Sequence, residues 1–128
     1  MILAPSDAWS VTIDGKEDQF QEVKVGEEAV FAFKDERAAT FDSFSMLIPK
    51  SGRNPKEFEL FVGDSPTGPF RSLGTFQPQN VRMMKTAGWQ EFKFSPVTAK
   101  SLKVKLRSNF EDVVWIDVYE FRLLGQLQ

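Results

Sequence analysis

Apolar and polar residues alternate along much of the chain, the period of a strand with one buried face. Phe58, Leu60 and Val62 alternate with Glu57, Glu59 and Phe61. Phe92 and Phe94 alternate with Glu91, Lys93 and Ser95. Leu102, Val104 and Leu106 alternate with Lys103, Lys105 and Arg107, giving one apolar and one cationic face. Phe44, Met46 and Ile48 follow the same pattern beside an apolar Leu47. Val30, Phe31 and Phe33 predict an earlier strand that is buried on both faces or bulged. Residues 113–124 read as one long apolar strand. Its alternation breaks at Tyr119-Glu120-Phe121, which predicts a bulge or two-sided burial.

Turn-forming residues punctuate these runs at Asp14-Gly15, residues 49–55, 63–69 and 78–88, and Ser95-Pro96. No sustained helical period occurs, and residues 35–39 could hold a helical turn at most. Roughly eight short strands with polar turns predict an all-β antiparallel sandwich with aromatic inner faces. The longest expected loop is 78–88, and long loops in compact domains often carry function.

Composition narrows the chemistry. At 128 residues the chain has the size of one domain, 1–128, of the kind excised from a longer protein. There are 13 Phe and one Tyr, which supply the core material. Sixteen Lys+Arg against 18 Asp+Glu give a net charge of -2, which argues against nucleic-acid binding. The stripe Lys103, Lys105 and Arg107 is then expected to be a solvated outer face paired with Glu57 and Glu59. Absence of Cys and His removes disulfides, thiolate and imidazole metal sites, and His-dependent triads. Residues 63–68 are Gly-bounded but lack the Lys of a phosphate-binding loop, and so read as a hairpin turn. Residues 1–5 lack the basic and apolar regions of a signal peptide, and no run of apolar residues is long enough to span a bilayer as a helix. The expected class is a non-catalytic binding module.

Three segments carry a family resemblance. Gly52-Arg53-Asn54-Pro55, the strand to Val62 and the turn Gly63-Asp64-Ser65-Pro66-Thr67-Gly68 ending at Phe70 resemble the central strand and turn of discoidin-like domains. These are also called coagulation factor 5/8 type C or galactose-binding-like domains. Trp89-Gln90-Glu91-Phe92-Lys93-Phe94, followed by Ser95-Pro96-Val97-Thr98-Ala99-Lys100, is similar to the family's strand pair and its short connection. Val118-Tyr119-Glu120-Phe121-Arg122-Leu123 resembles the closing strand. Asp14-Gly15 resembles the early turn, although Gln19 and Gln21 stand where the family usually has Thr and Trp.

The resemblance implies an eight-stranded antiparallel jelly-roll sandwich that binds a ligand at one rim. The ligand would be carbohydrate or glycoprotein, with an extracellular or cell-surface setting. A protein partner or neighbouring domain is the alternative, and membrane attachment through loop tips is the weaker one. Arg53 is the first candidate contact, because a guanidinium can fork onto vicinal hydroxyls or a carboxylate. Asn54 adds donor and acceptor capacity, or simply forms a turn with Pro55. Between residues 108 and 115, Asn109 could bond hydroxyls and Phe110 could stack on a sugar ring or anchor the loop. Trp115 reads as core more readily than as a platform. Arg82, with Asn80, Met83, Met84 and Lys85, marks a loop that could touch a partner or fold back on the core, as Trp9 and Trp89 could. The resemblance also implies a structural Ca2+, which would map onto Asp14, Asp18 and Glu120. No other cofactor is expected.

Overall fold

The computed structural model describes residues 2–3, 20–33, 37–48, 53–79, 88–110 and 114–127. Strands follow the alternating runs. In chain order they are β1 (Ile2–Leu3), β2 (Gln21–Lys24), β3 (Glu28–Phe33), β4 (Ala39–Ile48), β5 (Pro55–Gly63), β6 (Phe70–Phe76), β7 (Gly88–Ala99), β8 (Ser101–Asn109), β9 (Trp115–Val118) and β10 (Phe121–Leu127). No helix occurs among the described residues, and none is long and apolar enough to cross a membrane.

Among the described residues three sheets assemble, with antiparallel pairing in each: β1-β3-β8-β5-β6, β10-β4-β7, and the ribbon β2-β9. The first two face each other. Their inner faces are the apolar phases of the alternation, and Phe58, Leu60, Val62, Val104 and Leu106 are fully buried. Aromatic rings bridge the layers. Phe58 meets Phe44 at 5.6 Å and Phe92 at 5.0 Å, Phe33 meets Phe41 at 5.6 Å, and Phe31 meets Phe121 at 6.0 Å. Edge and tilted contacts of this kind add to the stabilisation from burial, which is about 1.5–3 kcal/mol for each such side chain.

Three expectations change. Among the described residues ten strand segments form where roughly eight strands were expected, partly because the run read as one strand holds both Trp115–Val118 and Phe121–Leu127. The break at Tyr119-Glu120 is neither a bulge nor two-sided burial. It is where the chain leaves the ribbon at Val118 and enters the three-stranded sheet at Phe121. Ser95-Pro96 does not turn the chain either, since β7 runs through it. β7 is an edge strand of its sheet, where a missing N–H costs no ladder bond if it faces outward. Strand β4 shifts register opposite this stretch, between Phe41 and Ser43.

The hairpin expected at residues 63–68 forms. Ser65 Oγ donates to the Gly68 carbonyl at 2.9 Å, and Gly68 takes φ 89°, a conformation that favours glycine.

The basic stripe lies on the outer face of the five-stranded sheet, with partners that differ in detail from those expected. Arg107 pairs with Glu59. Lys103 is only 15% exposed and reaches Glu28 at 3.8 Å rather than Glu57. Its ammonium lies 4.4 Å from the Phe61 ring centroid and 4.5 Å from that of Phe70, a cation between two π faces.

Candidate functional site

The ribbon β2-β9 has two unlike faces, because paired strand residues point the same way and neighbours point oppositely. Val23, Ile116 and Val118 are buried in the core. The other face carries the pairs Glu22–Asp117 and Lys24–Trp115. Arg53, just before β5, closes onto this outward face.

Arg53 and Asp117 hold each other through backbone and side chain. The Arg53 backbone N–H donates to Asp117 Oδ2 at 2.9 Å, and the Asp117 N–H donates to the Arg53 carbonyl at 2.9 Å. From the guanidinium, Nη2 donates to Oδ1 at 2.7 Å and Nε to Oδ2 at 3.4 Å. Nη2 also meets Glu22 Oε1 at 2.9 Å. The hydrogen bond that Arg53 donates to Asp117, with help from the one to Glu22, raises the Arg53 pKa, so its charge is fixed. Asp117 is 6% exposed, whereas Arg53 keeps 29% and Glu22 52% of their side-chain surface. Among the described residues, Nη1 takes part in none of these bonds.

Trp115 is 36% exposed on the same face, with Lys24 Nζ 5.7 Å from its ring centroid. The core reading of Trp115 is therefore corrected. Its inward neighbour Ile116 takes the core position, which leaves the indole at the surface. Val25 and Val114 extend this exposed apolar strip, and the Val25 N–H donates to the Val114 carbonyl at 2.8 Å.

Phe110 is near Arg53 along the backbone, because its N–H donates to the Asn54 carbonyl at 3.4 Å. Its side chain serves a different concavity, a depression of about 170 Å³ lined by Lys56, Glu57, Gln77, Pro78, Ser108 and Phe110. Arg53 and Phe110 therefore share one end of the molecule without sharing one pocket. Asn54 and Asn109 are buried, and Asn109 Nδ2 donates to the Trp115 carbonyl at 3.0 Å. Both amides thus lie beneath the rim rather than on it, a correction to their reading as direct contacts.

Glu120 is buried at 7% exposure, and its carbonyl accepts the Leu47 N–H at 2.9 Å. A carboxylate at this depth needs a counter-charge, hydrogen bonds or a proton. No group of three or more acidic residues gathers among the described residues. Asp14, Asp18 and Arg82 lie outside the described residues, as do Trp9, Asn80, Met83, Met84 and Lys85. Trp89 is half-buried beneath Arg122, whose guanidinium carbon is 3.9 Å from the ring centroid.

Sequence reasoning missed Asp117, Glu22 and Lys24. The signal available was the alternation in Glu22-Val23-Lys24 and Trp115-Ile116-Asp117, two short runs whose polar phases coincide once the strands pair.

Together, the two facing sheets and the side ribbon define a galactose-binding-like, or discoidin, β-sandwich. Solved structures share this fold across nearly their whole length. CpGH89CBM32-5 from Clostridium perfringens, in complex with GalNAc-β-1,3-galactose, superposes with a TM-score of 0.74 at 16% identity, covering 97% of this chain and 94% of that one. The CBM32 of AlyQ, in complex with 4,5-unsaturated mannuronic acid, gives 0.74 at 16% identity over 97% and 93%. The family 32 CBM from C. perfringens NanJ, in complex with galactose, gives 0.72 at 13% identity over 96% and 91%. No family model matches the sequence, and no curated protein does.

Proposed function

We propose that this chain is a non-catalytic carbohydrate-binding module whose ligand lies on the outward face of the β2-β9 ribbon. The observation that carries this reading is a pinned guanidinium beside an exposed indole on one face. Trp115 offers a π surface to the apolar C–H face of a pyranose. Arg53 offers its Nη1 donors to ring hydroxyls, and Glu22 accepts from them. Asp117 fixes the guanidinium before the ligand arrives, which reduces the ordering cost of binding. Asn54 and Asn109 brace the rim from beneath, and Phe110 contacts the next residue of a longer saccharide. The similar folds solved with GalNAc-β-1,3-galactose, galactose and an unsaturated mannuronic acid support the ligand class.

A sheet face covers only one side of a sugar, so single-site affinity is expected to be weak, and a multidomain parent would add avidity. Glycan-array screening followed by calorimetric titration tests the reading. Sugar binding lost in Arg53→Ala supports it, and binding unchanged in both Arg53→Ala and Trp115→Ala refutes the site.

A structural Ca2+ belongs to this reading as a proposal, with Glu120 as its one donor among the described residues. The ion's chemistry suits a buried carboxylate, and its role would be to hold the fold rather than the ligand. A second reading is docking of a protein or neighbouring domain. It is favoured by Val114 at 54% and Val25 at 36% exposure beside Trp115. Concentration-dependent self-association or partner capture without any glycan binding would support it.

A further inference from the structure

We infer that the ribbon face selects neutral sugars over uronic acids, and that Glu22 is the residue that sets this selectivity. The inference rests on the carbohydrate reading and deepens it. An arginine at a sugar site usually invites a carboxylate, since the guanidinium fork matches it. Here the fork is already occupied. Asp117 takes Nε and Nη2, and Glu22 takes Nη2 again at 2.9 Å. Among the described residues, Arg53 and Lys24 stand against Glu22 and Asp117 on this face, so these charges offset one another. Glu27, whose N–H donates to the Lys24 carbonyl at 3.0 Å, adds a further acid at the ribbon's end.

A uronate reaching for Nη1 must bring its carboxylate close to Glu22, which is 52% exposed and therefore meets the ligand at the surface. Like charges brought together at an interface discriminate against the wrong partner. A neutral pyranose meets no such charge, and its hydroxyls can donate to Glu22 while accepting from Arg53. Glu22 thus rewards hydroxyls and repels carboxylates from one position. Lys24 does not reverse this, because Glu22 and Asp117 offset it and Arg53 together.

The test pairs each neutral methyl pyranoside with the uronoside that differs only at C6, in the galacto, gluco and manno series. Calorimetric titration uses the full chain and its Glu22→Gln variant at low ionic strength, with melting curves to confirm that the variant folds. The expected result is a neutral preference of about tenfold or more in the native chain. In Glu22→Gln the uronate-to-neutral affinity ratio should rise by about fivefold or more, shrinking with added salt. Uronates bound as well as neutral sugars by the native chain, or an unchanged ratio in Glu22→Gln, would overturn the inference while leaving carbohydrate binding intact. Failure of every sugar in the native chain would overturn the carbohydrate reading itself, and the inference with it.

Discussion

Arg53 and Asp117 are joined from both ends of each residue. Each backbone N–H is satisfied by the other residue, and the guanidinium lies along the carboxylate with its shorter bond at 2.7 Å. The pair ties the entrance of β5 to the middle of β9, so the same contact that closes the ribbon onto the sandwich also sets the direction of the guanidinium. Arg53→Lys keeps the charge and loses the fork. It is expected to lower the melting temperature and to weaken sugar binding by about tenfold or more. Asp117→Asn should weaken binding in the same direction although Asp117 lies beneath the surface. Calorimetric titration beside thermal melts measures both effects.

A second prediction concerns acid stability. Hydrogen bonds from Arg107 first, and then from Ser72, hold the Glu59 carboxyl below its ordinary value of about 4.5. A group depressed in the folded state contributes stability that is present above its unfolded pKa and lost as pH falls through the folded one. Stability should therefore decline as pH drops below about 4.5. Glu59→Gln should be less stable than the native chain at neutral pH, and the two should converge in acid. Urea denaturation across pH reads this directly, and parallel curves at all pH values would show that the pair contributes nothing.

The chain cannot accept a methyl group at Gly125. A Cβ there would collide with the Thr40 carbonyl oxygen and lie 2.6 Å from Phe41 Cβ, where β10 and β4 shift register. Gly125→Ala should cost about 1–3 kcal/mol in urea denaturation, as overpacking does.

Much of the sandwich was legible in the sequence because its strands are half-buried. Leu102, Val104 and Leu106 all face the core, and Lys103, Lys105 and Arg107 all face out. Where two strands of different sheets follow each other without a turn signal, the pattern loses this information. No Gly, Pro, Asn or Asp separates Val118 from Phe121, so a change of sheet between them looks like a defect in one strand. Pro96 reads as a stop signal because sequence does not reveal which strands lie at an edge. The candidate site was half legible. Arg53 stood out as a guanidinium in a turn, but Asp117 is 64 positions away and looks like an ordinary outward residue until the strands pair. Trp115 was misread because a large aromatic at a strand start carries no mark of which face it takes.

The outer sheet face offers a test of the cation held between rings. Lys103→Met preserves length and removes charge, so it should cost about 0.5–1 kcal/mol through the lost cation–π contacts. Lys103→Arg should retain most of the stability. Urea midpoints of the two variants distinguish charge from packing.

Calcium can be tested without a ligand. If the ion binds only the native state, adding it raises the melting temperature and EGTA lowers it. Glu120→Gln should abolish that response. Identical melts in calcium and EGTA would remove the ion from the account.

The most direct test of the central claim is the amide and indole NMR spectrum during titration with a glycan identified by array. The account predicts that the Trp115 indole N–H, the Arg53 side-chain N–H and the amides of Glu22 and Asp117 shift together with one saturation curve. A depression lined by Ala32, Asp64, Ser65, Pro66 and Lys100 lies beyond the Gly63 end of β5, away from Arg53, and shifts confined to it, with the Trp115 indole unmoved, would contradict the account.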